Sequence, residues 1–256
     1  MDLGLAGKRA LVLGASRGLG KAIAQSLASE GATVFAAARS VEKIEAWSAG
    51  LASVHPVKLD LSDLSTVDAV ADRLLAEGGV DIIINNSGGP PPGTAQGAER
   101  GAWILHFEAM AANLFHLTAR LLPPMQDRKW GRVISITSSG VEQPIPNLAL
   151  SNGVRSAVVG WSKTLANEVA ADGITVNVVL PGRIHTERVD ELDAAAAKRT
   201  QTDVAEVAVK SRATIPAGRY GKPEEFADVV TFLASDRAGY VTGSRIRIDG
   251  GAIKAI

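Results

Sequence analysis

The residues GASRGLG, Gly14–Gly20, decide the fold. They follow the apolar run RALVLG, Arg9–Gly14, and open GKAIAQSLASEG, whose apolar residues recur at three- and four-residue spacing. Strand, glycine turn and helix together form the context that a dinucleotide site requires. Glycine permits the tight turn and lets backbone approach a diphosphate, while the free N–H groups and positive dipole end of the helix attract the anion. Within this turn Gly14, Ser16, Arg17, Gly18, Leu19 and Gly20 are the candidate contacts. Outside that context a glycine triplet is only a turn.

The same alternation continues along the chain. TVFAAA, SVHPVKL, VDIIIN, GRVISIT and ITVNVVL read as buried strands. Between them DLSTVDAVADRLLAEG, ERGAWILHFEAMAANLFHLTARLLPPM and LALSNGVRSAVVGWSKTLANEVAADG carry helical spacing. Gly31, Gly78 and Gly173 sit just past helical patterns, where a left-handed cap is expected. Repeated βαβ units predict an α/β fold, a doubly wound parallel sheet flanked by helices. At 256 residues, with no linker or repeat, the chain reads as a single domain, 1–256. GGPPPGTAQG, Gly88–Gly97, is expected to be a surface loop beside the site, and the alanine- and charge-rich 188–212 a mobile helical lid.

The end of the second strand bears on the nucleotide. A carboxylate there would bond a ribose 2′-hydroxyl, whereas arginine pairs with a 2′-phosphate. The strand ends in Arg39 with no acid, and Arg17 lies in the glycine turn, so NADP(H) is the expected cofactor. Two solvated surface arginines are the plain alternative.

Lys+Arg equals Asp+Glu at 27 each, which gives no bulk attraction to nucleic acid or an anionic membrane. The chain has no cysteine, so disulfides and thiolate metal ligation are excluded, in keeping with a reducing compartment. No basic segment precedes a long apolar run near the amino terminus, and no later run approaches the roughly 20 residues of a membrane helix. A cytoplasmic location with no membrane or nucleic-acid partner is expected.

Seven motifs in order carry a resemblance: GASRGLG, LDLSD, NNSG, AANLF, ISITSSG, PGRIHT and GYVTGSRIRIDGG. With them the chain resembles the short-chain dehydrogenase/reductase family over nearly its whole length, closest in look to its 3-oxoacyl-acyl-carrier-protein reductases. The resemblance implies a Rossmann-type fold with Asp60 and Leu61 at the adenine pocket and Asn86, Ser87 and Gly88 flanking the cofactor ribose. Pro181, Gly182, Ile184 and Thr186 would hold the nicotinamide amide and phosphate side. Asn113 matches the residue that anchors a helix kink and a relay water, and Ser138 the one that bonds the substrate oxygen. A homotetramer is implied as well, with the fifth and sixth helices and the carboxyl-terminal strand at interfaces.

One departure stands out. The family's Tyr-x-x-x-Lys pair aligns with Ser151 and Arg155 in SNGVR. Four residues apart on a helix, both would face the nicotinamide. An alkyl hydroxyl is far less acidic than a phenol, whereas Arg155 keeps a positive charge and can bond ribose hydroxyls. Of two tyrosines, Tyr220 and Tyr240 fall in structural segments; His55, His106 and His116 read as packed or solvated. His185 and Glu142 are the candidate substitute acids.

The expected activity is hydride transfer between NADP(H) and a small carbonyl or alcohol, acyl-carrier-linked as one option. Ser138 and Ser151 would polarise the oxygen, and water relayed through Asn113 would supply the proton. The alternative is a non-catalytic NADP(H)-binding sensor or oligomer subunit; a methyl-transfer enzyme fits less well, because it would want an acid where Arg39 stands. No metal site is expected.

Overall fold

The computed structural model describes residues 2–255. Its strands are β1 (Arg9–Leu13), β2 (Thr33–Ala38), β3 (Val54–Lys58), β4 (Ile82–Asn85), β5 (Gly131–Ile136), β6 (Ile174–Pro181) and β7 (Arg245–Ile248). They form one parallel sheet in the order β3-β2-β1-β4-β5-β6-β7. The central strands are buried on both faces, which is why β4 opens on the unbroken run Ile82–Ile84 rather than an alternation, and why even Arg132 and Ser135 of β5 are buried. At one edge β3 exposes His55 and Lys58, so it is not the fully buried strand its apolar residues suggest; Pro56 is tolerated there because an edge strand can spare a donor.

The helices are α1 (Gly18–Ser29), α2 (Val41–Ser48), α3 (Leu64–Ala76), α4 (Arg100–Phe107), α5 (Asn113–Asp127), α6 (Ala149–Val169), α7 (Glu187–Thr200), α8 (Val204–Ala213) and α9 (Pro223–Ala234). Ile23 and Leu27 of α1, Ile44 of α2 and Phe226 and Val230 of α9 pack on one sheet face. Val67 and Leu74 of α3, Leu117 and Leu121 of α5 and Leu165 and Val169 of α6 cover the other. Each such apolar side chain, fully buried, stabilises the fold by about 1.5–3 kcal/mol before entropy.

Gly31, Gly78 and Gly173 have φ of 87°, 95° and 72°, the left-handed caps expected of them. The long helix over 99–125 is interrupted by a π-helical turn, Glu108–Ala112, directly before Asn113, where the resemblance implied a kink, and the stretch 188–212 lies largely in two helices, α7 and α8. The helices α2 and α9 were not assigned from the sequence, although α9 carries a clear apolar spacing. None of the described helices is long and apolar enough to cross a membrane.

Candidate active site

In a sheet of this order, neighbours β1 and β4 send their chains to opposite sides, and a crevice opens beyond their carboxyl ends. A cleft of about 1200 Å³ lies there, lined by residues that follow every strand from β1 to β6. After β1 come Gly14, Ser16, Arg17, Gly18 and Leu19; after β2, Arg39; after β3, Asp60 and Leu61; after β4, Asn86, Ser87 and Gly88. Ser138 follows β5, and Pro181, Gly182, Ile184 and Thr186 run from the end of β6. The helix α6 adds Ser151 and Arg155. The Pro-rich loop contributes Gly88, Gly89, Pro90 and Pro92, as a loop beside the site should.

Two candidates lie outside the lining. Gly20 sits beneath the turn, where an added Cβ would stand 2.3 Å from the Gly14 carbonyl oxygen. Its missing side chain lets helix and strand close on each other. Asn113, buried behind the cleft at the start of α5, donates from Nδ2 to the Leu61 carbonyl at 2.8 Å. It follows the π-helical turn directly and ties this helix to the loop after β3.

The turn end of the cleft is cationic. The residue before α1, Arg17, offers no side-chain cap, so the first N–H groups of the helix have no capping acceptor. Arg39 is joined by Ser40 and by Lys43 on α2, a cation that the sequence reading missed because α2 was not assigned. That helix is anchored to the turn by Trp47, whose Nε1 donates to the Ala15 carbonyl at 3.1 Å. Arg17 pairs with Glu191 of α7 at 2.7 Å. Asp60 spends its carboxylate on the Ser62 hydroxyl and N–H, which hold its pKa below the ordinary range.

At the other end, the Ser138 hydroxyl accepts from the Gly140 N–H at 3.0 Å, which leaves its own proton to donate. Arg155 is only 9% exposed, yet its guanidinium donates to two neutral carbonyls, those of Ile136 at 3.0 Å and Ser87 at 3.3 Å. Burial, and then the nearby Arg188, press its pKa down to about 10. Arg188 reaches from α7 to the Pro90 carbonyl at 3.3 Å.

No tyrosine lines the cleft among the described residues. The Tyr220 hydroxyl donates to Asp193 at 2.6 Å, and Tyr240 is fully exposed. The two substitute acids named from the sequence are also placed elsewhere. Glu142 is ion-paired with Arg245 and Arg247 of β7, and His185 points to solvent beside Asp190 at 3.4 Å. Neither lines the cleft, whereas His106 of α4, read from the sequence as packed or solvated, does.

A family profile described as enoyl-(acyl carrier protein) reductase matches residues 14–252. The chain belongs to the short-chain dehydrogenase/reductase family. Among curated members of the family, it is 36% identical to the 3-oxoacyl-acyl-carrier-protein reductase FabG of Haemophilus influenzae, over 96% of this chain and 98% of that protein. FabG of Escherichia coli is also 36% identical, with 96% and 97% covered. Among solved structures of the family, L-sorbose reductase from Gluconobacter frateurii, complexed with NADPH and L-sorbose, superposes with a TM-score of 0.94 at 33% identity over all of both chains. YwfH, an NADPH-dependent reductase involved in bacilysin biosynthesis, gives 0.93 at 29% identity, covering 98% of this chain and 100% of its own.

Proposed function

We propose that this short-chain dehydrogenase/reductase is an NADP(H)-dependent oxidoreductase acting on a small carbonyl or alcohol. One observation carries the reading. A single cleft joins a glycine turn rimmed by Arg17, Arg39 and Lys43 to a pair of serines, Ser138 and Ser151, beside a buried cation. The residues fit the cofactor: the absent side chain at Gly20 keeps the turn tight, no carboxylate ends β2, and Arg39 and Lys43 suit a 2′-phosphate. L-sorbose reductase, whose structure holds NADPH, and the NADPH-dependent YwfH support the same reading.

Bound in this cleft, NADP(H) supplies or accepts the hydride. The chain's own residues orient and polarise. Ser138 and Ser151 donate hydrogen bonds to the substrate oxygen, and Arg155 places positive charge where negative charge develops on it. A general acid contributes about 10²–10⁴-fold, and no phenol lines the cleft among the described residues, so the proton comes from water and ordinary ketones turn over slowly.

The test is NADPH oxidation over a panel of ketones, oxo acids and 3-oxoacyl thioesters. The expected result is turnover of at least one class, reduced about tenfold or more by Ser138→Ala. Saturable NADPH binding with no turnover of any carbonyl contradicts the proposal and leaves a cofactor-binding module.

A further inference from the structure

Reduction of a carbonyl needs a proton as well as a hydride, and few groups in the cleft can give one. Its arginines keep their protons near neutrality. Lys43 stands with Arg39 after β2, Asp60 follows β3, and Glu187 lies against the glycine turn, its Oε2 3.9 Å from where a Cβ on Gly18 would stand. All three belong to the cofactor end. Among the described residues the remaining ionisable side chain of the lining is His106.

Packing puts His106 beside the serines. At Gly140 a Cβ would collide with Asn152 Oδ1 and stand 3.3 Å from Ser138 Oγ, so Ser138 lies against the start of α6. Gly153, the residue after Asn152, lacks a side chain where the Trp103 ring of α4 comes in, 2.8 Å from the position a Cβ would take. Further along, Met110 of the π-helical turn packs with Val154 and Val158 of α6. His106 is thus about one turn from a residue seated on α6 on either side of it, and Leu105, His106, Ala109 and Met110 form one stripe of the cleft wall. Ser151 and the segment Ile145–Leu148, which leads into α6, line the same cleft. The His106 ring is half-buried and makes no hydrogen bond among the described residues, whereas His116 is held by Asp68 at 2.7 Å, His185 stands beside Asp190 at 3.4 Å and His55 packs on Phe35.

We infer that His106 is the acid of the reductase reaction, giving its proton to the oxygen that Ser138 and Ser151 hold. The inference rests on the reductase reading and deepens it: water supplies the proton, and His106 hands it on. The carbonyl carbon accepts the hydride, the C=O π pair moves to oxygen, and the N–H bond of the imidazolium breaks as the O–H bond forms. The products are an alcohol and the oxidised nicotinamide, and the neutral imidazole takes its next proton from water. Imidazole is the side chain suited to such transfer near neutrality. Few charges surround it. On α4 Arg100 is exposed, the π-helical turn brings Glu108, also exposed, α6 brings Arg155, and Ile145–Leu148 carries none. Only the protonated ring can donate, so reduction falls as pH rises through its titration.

The experiment is steady-state reduction of cyclohexanone, 2-oxobutanoate and the acetoacetyl thioester of N-acetylcysteamine by NADPH across a range of pH, with the parent, His106→Gln, His106→Ala and His185→Gln proteins. An NADPH fluorescence titration that matches the parent's shows that each variant is folded. The expected result is a kcat about a hundredfold lower in His106→Gln, the low end of general-acid catalysis, with KM changed less than about threefold. The alkaline fall in kcat disappears with it. Added imidazole restores His106→Ala in part, which a packing role would not allow, and His185→Gln behaves as the parent. A His106→Gln protein with the parent's kcat and pH profile overturns the inference and spares the reductase reading. So does a loss shared by kcat and KM that imidazole does not rescue, or an alkaline limb that vanishes in His185→Gln instead. No turnover of any carbonyl by the parent removes both readings.

Discussion

A single hydrogen atom in place of a methyl group decides whether the turn after β1 can close. A Cβ at Gly20 would stand 2.3 Å from the Gly14 oxygen and 2.9 Å from Asn86 Nδ2, and neither the backbone nor a packed amide can retreat far. Gly20→Ala is expected to lower unfolding free energy by about 1–3 kcal/mol, the range for overpacking, and to weaken NADPH binding. Denaturant unfolding and a fluorescence titration check both; unchanged stability and affinity would contradict the close-packing account. The glycines were legible because the chemistry they permit is local to strand, turn and helix. What brings Arg188, Lys43 and His106 to the same cleft is tertiary, and nothing in their immediate neighbours announces it. The same holds for the pairing of Arg17 with Glu191, which lie on the glycine turn and on α7, far apart in the chain.

At the scale of elements, the start of α9 makes a prediction about pH. Glu225 accepts from both Nη atoms of Arg219, at 2.7 and 2.6 Å, and from the Lys222 N–H at 2.7 Å, which together pull its pKa down to about 2. A lowered carboxylate pKa adds stability that is complete above the unfolded value of about 4.3 and is lost as pH falls from there through about 2. Thermal melts should therefore show Glu225→Gln less stable than the parent above about pH 5, with the two converging near pH 2. A gap that does not change with pH would contradict the assignment. Asn113 makes a second prediction, since its bond to the Leu61 carbonyl holds a residue of the cleft from behind. Asn113→Ala should cost about 1–3 kcal/mol by leaving that carbonyl unpaired, and should raise the cofactor KM more than it lowers kcat. The reverse split would place Asn113 in the chemical step. Strands and long helices were readable from their periodicity. The π-helical turn before Asn113 was not readable that way, because one i→i+5 turn shifts the apolar spacing by only about one residue, and only the resemblance implied a kink there. Nor was α2, an eight-residue helix with only Ile44 and Ser48 buried.

Over the whole molecule, positive and negative side chains balance, with 27 of each, but the cleft does not share that balance. Arg17, Arg39, Lys43, Arg155, Arg183, Arg188 and Arg199 line it against Asp60 and Glu187. The architecture was legible because each βαβ unit repeats the same pattern and the handedness of the crossovers leaves few ways to assemble them. The charge of the cleft was not, because it arises from side chains that separate elements carry to one place. That local field is what the cofactor reading depends on, through Arg17 and the Arg39–Lys43 pair. The most direct test is a fluorescence titration of the purified protein with NADPH and, separately, with NADH. Saturable NADPH binding at least about tenfold tighter than NADH is the result expected of a site that pairs cations with a 2′-phosphate. No saturable change with NADPH, or NADH bound equally well, would contradict it.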